Sequence, residues 1–89
     1  MVKDHELDND FNVNQMVVLT ANGKFVDRGR VTFFNGASVQ IRGDSHGEIR
    51  RFDHSIVEGG WIHIMPDPLQ PGRYYRNPQE PVYLIEALT

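Results

Sequence analysis

The chain reads Met16-Val-Val-Leu-Thr-Ala-Asn-Gly-Lys-Phe-Val-Asp-Arg-Gly-Arg-Val-Thr-Phe-Phe-Asn-Gly-Ala-Ser-Val-Gln-Ile-Arg-Gly43 in its first half. Two Asn-Gly pairs, at 22–23 and 35–36, separate three runs rich in Val, Ile and Phe. Asn-Gly favours the tight turn of a β-hairpin, because these two residues accept positive φ angles at the least cost. The stretch therefore predicts a β-meander.

Five strands are predicted when this pattern of apolar runs and turn residues is followed along the chain. They cover residues 13–20, 24–34, 37–42, 48–52 and 61–65. The second strand is long, and Gly29 near its middle has no Cβ to pack, so we expect a bulge or sharp bend there. A bent second strand would let a small sheet curl into a barrel.

A short helical turn is predicted just before the last strand, over residues 53–57. Asp53 is a suitable cap, and Ile56 would then drop into the mouth of the barrel. Alternation along the strands supplies the rest of the expected core. The residues predicted to be buried are Val17, Leu19, Val31, Val39, Ile41, Ile49, Ile56 and Ile62.

The C-terminal part of the chain is punctuated by five prolines between residues 66 and 81. Proline lacks an amide hydrogen and restricts its predecessor, so this part is predicted to be an extended arm. Its apolar end, residues 82–88, is interpreted as a strand that docks on the barrel or on a neighbouring chain, with a short helix as the alternative. The predicted organisation is an acidic arm (1–12), an all-β barrel (13–65) and a Pro-rich arm (66–89).

Length and composition limit the class of protein. Eighty-nine residues suit one domain with a single small core. The absence of cysteine excludes disulfides and thiolate sites and suits a reducing compartment. Because the chain has neither a signal-like apolar segment nor a membrane-length apolar run, we expect a cytoplasmic protein without membrane contact.

Charge is distributed unevenly along the chain, whose net charge is −3. The N-terminal residues are mostly acidic, with Asp4, Glu6, Asp8 and Asp10 against Lys3. An acidic chain gains little from counterion release, which disfavours tight sequence-independent DNA binding, although a local Arg patch could contact RNA. The acidic arm could mimic nucleic acid toward a basic partner, but a solvated, frayed terminus is the favoured interpretation.

Several short stretches resemble Sm-like barrel proteins over about residues 13–65. The first Sm motif is matched by Val18-Leu19, Asn22-Gly23, Gly29, Val31, Phe34 and Asn35. Phe52-Asp-His-Ser-Ile-Val57 resembles the Tyr-Lys-His-Ala-Ile-Ser stretch of the bacterial RNA chaperone Hfq, and Gly47-Glu-Ile-Arg-Arg-Phe-Asp53 resembles the closing strand of Rof. The resemblance implies a small, strongly bent, SH3-like or Sm-like barrel that binds RNA or the proteins that handle it.

Arginine, tyrosine and one histidine supply the candidate binding residues. Tyr and Arg are frequent anchors in protein interfaces and on single-stranded nucleic acids. The resemblance to Hfq implies that His54 could contact a nucleotide, although a histidine beside a turn more often bonds backbone. The candidates are Arg30, Arg42, Arg50, Arg51, His54, Tyr74, Tyr75 and Arg76.

Two simpler interpretations of these candidates stay open. Arg50 and Arg51 are neighbours on one strand and project to opposite faces, so at most one can join Arg30 or Arg42 in a surface patch. Exposed charges of this kind also have a simpler role, which is to keep a strand edge from pairing with another chain. The tyrosines, in turn, could fold back to cover a small core.

Catalytic and metal sites are not predicted. The four histidines lack the close paired spacing of a metal site. Asp44-Ser45-His46 has the residue types of a catalytic triad, but neighbours in one loop cannot usually point at one another, so we interpret it as a turn. No cofactor is expected.

The sequence as a whole predicts a non-enzymatic regulatory module that binds a protein of transcription or RNA metabolism. Direct RNA binding is the main alternative. An inhibitor from a phage or other mobile element, acting through the acidic arm, is a third. A homo-oligomer is compatible with each of the three.

Overall fold

A computed structural model describes residues 10–88, and that part of the chain folds into seven β-strands without a helix. The strands are β1 (Met16–Ala21), β2 (Lys24–Phe34), β3 (Ser38–Gly43), β4 (Ile49–Ser55), β5 (Gly60–Pro66), β6 (Tyr74–Arg76) and β7 (Tyr83–Ala87). Most of the predicted acidic arm lies outside the described residues. Within residues 10–88 no helix is long and apolar enough to cross a membrane.

Six of the strands close into a small barrel. The sheet order is β4-β3-β2-β1-β7-β5-β6, and an additional pairing of β4 with β5 closes the ring and leaves β6 outside it. The predicted small all-β barrel is therefore confirmed, but the predicted count of five strands is wrong. The sixth barrel strand, β7, comes from the C-terminal part of the chain and pairs with β1 from Val17↔Ala87 to Ala21↔Tyr83.

The two Asn-Gly pairs both form the predicted turns, by different means. Asn22 and Gly23 have φ angles of 54° and 77°, as a tight hairpin turn requires. At the second turn the positive φ lies at Gly36 (96°). There the Asn35 side chain accepts hydrogen bonds from the Ala37 and Ser38 amides, at 3.0 and 2.8 Å. Asn35 thus acts as a local cap for the start of β3.

Gly29 does not form the predicted bulge. It stays in register, opposite Val17 on one side and Gly43 on the other, and the register shifts fall elsewhere in β2. A Cβ on Gly29 would lie 2.7 Å from Ile41 Cγ2 and would also strike the Arg42 carbonyl oxygen. The position needs glycine because the backbones of β2 and β3 approach closely there.

The core fills the barrel with alternating residues of six strands and with Phe11, which packs edge-on against Phe34 and Trp61. All the predicted core residues are buried except Ile49 and Ile56, which are 51% and 87% exposed. In β4 the inward position belongs to Phe52, which is fully buried, and Ile49 three residues earlier must therefore face outward.

The predicted helical turn over residues 53–57 is also wrong. Asp53, His54 and Ser55 continue β4 and pair with Ile62, Trp61 and Gly60 of β5. The ladder satisfies these backbone groups with partners on both sides, which a single helical turn cannot do. Ile56 consequently lies at the tip of the β4–β5 turn, in solvent rather than in the barrel.

Candidate binding cleft in the barrel wall

The barrel wall opens where β4 and β5 stop pairing. Their ladder runs from Ser55↔Gly60 to Arg51↔Ile64, although the strands continue to Ile49 and Pro66. Extending the register would place Pro66 opposite Ile49. Proline has no amide hydrogen to donate, so a ladder pair at this position would lack one of its two hydrogen bonds. The position of Pro66 thus accounts for the end of the β4–β5 ladder.

A cavity of about 220 Å³ lies at this opening, and we call it the seam cleft. Its polar lining comes from Gln40, Arg50, Arg51, His63 and Tyr74. Its apolar lining comes from Ile49, Ile64, Met65 and Pro66. Adjacent residues of one strand point to opposite faces, yet the cleft is lined by adjacent pairs from both β4 and β5. The cleft therefore follows the line between the two strands rather than lying on one face of the sheet.

Arg51 and Tyr74 form the outer wall of the seam cleft. The guanidinium carbon of Arg51 lies 4.8 Å from the centroid of the Tyr74 ring, a cation–π contact. On the barrel side, Arg51 Nη2 donates to Ser38 Oγ at 3.2 Å, and Ser38 Oγ donates to Asp53 Oδ1 at 2.6 Å. Arg51 thus joins β3 and β4 to the segment that carries β6, and Tyr74 is held at the mouth of the cleft.

His63 forms the inner wall of the seam cleft and lies against the core of the barrel. Its Nδ1 lies 3.0 Å from both carboxylate oxygens of Glu80, and Tyr83 Oη donates to Glu80 Oε1 at 2.9 Å. The imidazole lies against the ring of Phe52, with centroids 5.3 Å apart. One carboxylate therefore orients the histidine and ties the chain before β7 to the barrel.

Tyr83 is the titratable group most affected by this arrangement. Burial, the hydrogen bond to Glu80 and the charge of that carboxylate raise the pKa of Tyr83 to about 12, from an ordinary value of 10.0. Because the pKa of Tyr83 is higher in the folded state than in the unfolded state, the neutral side chain stabilises the fold. This stabilisation is complete below the pKa of the unfolded state and is lost as the pH rises through the pKa of the folded state.

We expect the urea midpoint of the native protein to fall as pH rises from about 10 to about 12, because Tyr83 then ionises more readily in the unfolded chain. Urea denaturation at pH 9 and pH 11.5 measures the change. Tyr83→Phe is the control, since it removes the titrating group, and its midpoint should fall less over the same interval. Equal falls in the two proteins would contradict the assignment.

The basic groups of the seam cleft have their carboxylate partners outside its lining. Arg50 Nη2 lies 3.0 Å from Glu48 Oε1, and Arg51 Nε lies 3.8 Å from Asp53 Oδ1. His63 is held by Glu80. A ligand in the cleft would therefore meet two guanidinium groups and an imidazole, with no carboxylate among the residues that line the cavity. Because these groups already have carboxylate neighbours, the cleft offers hydrogen-bond donors beside apolar surface rather than an uncompensated positive charge.

The structure brings three of the predicted binding residues together, namely Arg50, Arg51 and Tyr74. Arg50 and Arg51 lie on opposite faces of β4, and each reaches the cleft from its own side. Tyr75 lies next to Tyr74 in β6, opposite Met65, and is about half exposed.

The remaining predicted residues lie away from the cleft. Arg76 forms a two-pronged pair with Glu58 of the β4–β5 turn, its Nη2 at 2.8 Å from Oε1. Arg30 and Arg42 are opposite each other on the outer surface of β2 and β3. His54 packs against Trp61, with ring centroids 4.9 Å apart.

Sequence reasoning missed His63 and Glu80 as members of one site. They are 17 residues apart and meet because the arm folds back on the barrel. Pro66, directly after a predicted strand, was the available signal that a ladder ends at this point.

The loop after β3 forms the predicted turn, and its side chains contact β2. Ser45 Oγ and the Arg28 amide both donate to Asp27 Oδ1 at 2.8 Å, while Asp44 pairs with Arg28 at 3.1 Å. Burial opposes the ionisation of Asp27, but these hydrogen bonds and the Arg50 charge outweigh it and hold its pKa below the ordinary value. Asp44 and Ser45 thus contact β2, as residues of a docked turn do. Across residues 10–88, no cluster of three or more His, Asp or Glu side chains is placed to hold a metal ion.

Comparison of the chain with known protein families, with characterised proteins and with solved structures finds no match.

Proposed function

We propose that this chain is a non-enzymatic regulatory module that binds a protein of transcription or RNA metabolism through the seam cleft. The observation that carries the proposal is the stacked pair of Arg51 and Tyr74 at the mouth of a cleft with basic and apolar walls. Arg and Tyr are enriched among the residues that dominate protein interfaces. The resemblance of residues 13–65 to Sm-like regulators supports the class of partner.

The size of the seam cleft favours part of a macromolecule over a free small molecule. Pockets for small ligands usually enclose about 300–1,000 Å³. A cavity of about 220 Å³ suits one or two side chains, or one base, presented by a larger partner. The cleft would then act as the anchor point of a wider contact.

The net charge of the chain and the pairing of its basic groups favour a protein over RNA as the partner that binds the seam cleft. Affinity for a phosphate backbone comes largely from counterions released by unpaired basic groups. Here the net charge is −3, and Arg50 and His63 are already paired with Glu48 and Glu80. RNA is the second candidate, because a tyrosine ring backed by a guanidinium is also a platform on which a base can stack.

We expect Tyr74→Ala and Arg51→Gln each to weaken binding of the captured partner by about 2 kcal/mol, roughly 30-fold, as for interface anchors. The partner is first captured from lysate, and its affinity for each variant is then measured by calorimetry at two salt concentrations. Only a modest salt dependence is expected, since apolar and aromatic contacts are desolvated rather than screened.

Matched controls are available on the far side of the barrel. Phe25→Ala removes an aromatic ring that is 68% exposed on β2. Arg28→Gln removes an exposed arginine that pairs with Asp44. Neither residue lines the cleft, so both variants should bind as the native protein does.

Two other results would redirect the proposal. If ribonuclease abolishes the association, and if Arg51→Gln lowers the slope of log affinity against log salt by about one unit, the ligand is RNA. If neither cleft variant changes affinity, the cleft is not the site. The acidic segment from Asp4 to Asp10, nearly all of it outside the described residues, then becomes the candidate for the inhibitor alternative.

A further inference from the structure

The strands on the far side of the barrel from the seam cleft carry exposed apolar side chains. β1 alternates between buried residues and the half-buried residues Met16, Val18 and Thr20, which therefore face outward. Thr20 is paired with Phe25 of β2 and with Leu84 of β7, and these two residues are 68% and 49% exposed. The outer surface of β7, β1 and β2 is therefore rich in apolar atoms, and we call it the β1 face.

The side chains of the β1 face form three rows across the strands, each centred on a residue of β1. The rows are Leu84, Thr20 and Phe25; Glu86, Val18 and Arg28; and Leu88, Met16 and Arg30. The middle row thus has an apolar centre, an acid on the β7 side and a base on the β2 side. Within residues 10–88, Glu86 has no ion pair, and the Arg28 guanidinium donates only through Nε, to Asp44 at 3.1 Å. Both groups therefore keep hydrogen-bonding atoms for a partner.

From this arrangement we propose that the β1 face binds the same face of a second copy of the chain, about a two-fold axis that runs along β1. Rotation about this axis exchanges the two flanks, so that β7 of one copy lies over β2 of the other. Glu86 then meets the partner's Arg28, and Leu84 meets the partner's Phe25. The two Val18 side chains meet at the axis. The inference does not rest on the proposed function, because β1 lies three strands from β4 in either direction around the barrel.

Charge complementarity is what identifies a second copy as the occupant. The acid and the base lie one strand from β1 on opposite sides, so the same face turned about β1 places an opposite charge over each of them. Opposite charges across an interface fix its register and disfavour wrong partners. A nucleic-acid backbone would instead be repelled by Glu86 and would meet an apolar centre. An axis along β1 also keeps the strands of the two sheets nearly aligned, as in packed sheets generally.

The extent of the β1 face sets the expected strength of the dimer. A face three strands wide and five residues long would bury on the order of 500 Å² from each copy. Two copies then bury about 1,000 Å², at the lower limit of specific interfaces. The dimer should therefore be weak and dependent on concentration, with a Kd on the order of 10–100 μM.

Sedimentation of the full chain between about 5 and about 500 μM measures the self-association. We expect Glu86→Arg and Arg28→Glu each to weaken it at least tenfold, because each places like charges opposite each other at two points of the interface. An equimolar mixture of the two variants should associate about as tightly as the native chain. In that mixture, a copy with two basic residues meets a copy with two acidic ones, and a mere loss of folding cannot restore binding in this way.

The centre of the β1 face is tested separately. Val18→Lys places two ammonium groups at the two-fold axis and should weaken self-association at least tenfold. Ile49→Lys is the matched control, since Ile49 is 51% exposed on β4, on the other side of the barrel. It should self-associate as the native chain does. Urea midpoints of all four single variants show which of them keep the fold.

Three results would overturn the inference. The first is a native chain that stays monomeric at about 500 μM. The second is a dimer that Ile49→Lys dissociates and Val18→Lys does not, which would place the interface at the seam cleft. The third is a mixture of folded Glu86→Arg and Arg28→Glu chains that does not associate. If one of these two variants fails to fold, the comparison of Val18→Lys with Ile49→Lys decides the matter. Loss of the captured partner in Tyr74→Ala, with native self-association, would support two separate binding surfaces.

Discussion

Replacement of Phe52 by alanine is expected to lower the free energy of unfolding by about 3–5 kcal/mol, the range for an aromatic residue removed from a core. Phe52 is fully buried, and its ring lies 5.3 Å from that of His63 and 5.4 Å from that of Tyr83. The cavity left behind would be bordered by backbone of a closed barrel, which cannot collapse easily. Because small domains are stable by only about 5–15 kcal/mol, the loss should be plain in urea denaturation.

Ile56→Ala is the matched control for Phe52→Ala. Both variants remove a large apolar side chain from the same hairpin, but Phe52 lies in the middle of β4 whereas Ile56 is 87% exposed at the hairpin tip. We expect a change within about 0.5 kcal/mol, as for most surface substitutions. If Ile56→Ala cost nearly as much free energy as Phe52→Ala, Ile56 would have to be buried. That result would support the helical turn predicted from the sequence and contradict the assignment of Asp53 to Ser55 to β4.

Replacement of Gly29 by valine should destabilise the domain by about 1–3 kcal/mol, the usual cost of forcing atoms into a packed interior. The added Cβ would meet Ile41 Cγ2 at 2.7 Å and would also meet the backbone of Arg42. Relief requires β2 and β3 to separate, because a backbone carbonyl cannot rotate away alone. Thermal unfolding measures the loss as a lower Tm.

Two control variants show whether the loss of stability is specific to the Cβ at position 29. Lys24→Val places the same side chain in the same strand at an exposed position and should leave the Tm nearly unchanged. Gly29→Ala adds only the Cβ and should account for most of the loss, since that atom makes the close contacts. An unchanged Tm for Gly29→Val would show that β2 and β3 are not packed as closely as described.

Local sequence signals predicted the two Asn-Gly hairpins correctly. Contacts between residues far apart in the sequence were harder to predict. The Asn22-Gly23 turn depends on two residues whose φ preferences are intrinsic, so it could be predicted from the sequence. Ile49 and Phe52 could not be assigned so simply. They are three residues apart on a strand and cannot share a face, so one had to be exposed. The larger residue filled the barrel, which depends on the volume left by the other strands.

The candidate site was predicted in parts rather than as a unit. Arg51 and Tyr74 were each candidates from residue type, but their contact depends on β6 pairing with β5, and nothing in residues 74–76 alone specifies that partner. Glu80 reaches His63 only because β7 returns to β1. Such contacts are set by the closure of the barrel, and a local pattern does not contain that information.

Barrel closure also bears on how the protein behaves at high concentration. Free strand edges rich in Val and Ile recruit other chains into intermolecular sheets. Among residues 10–88, each barrel strand has a strand on either side, and the sheet ends at β6, which is three residues long. Pro71 and Pro78 stand close to its two ends and cannot donate to a growing ladder. The folded chain thus offers little template for aggregation, and its resistance should last only as long as β7 remains in place beside β1.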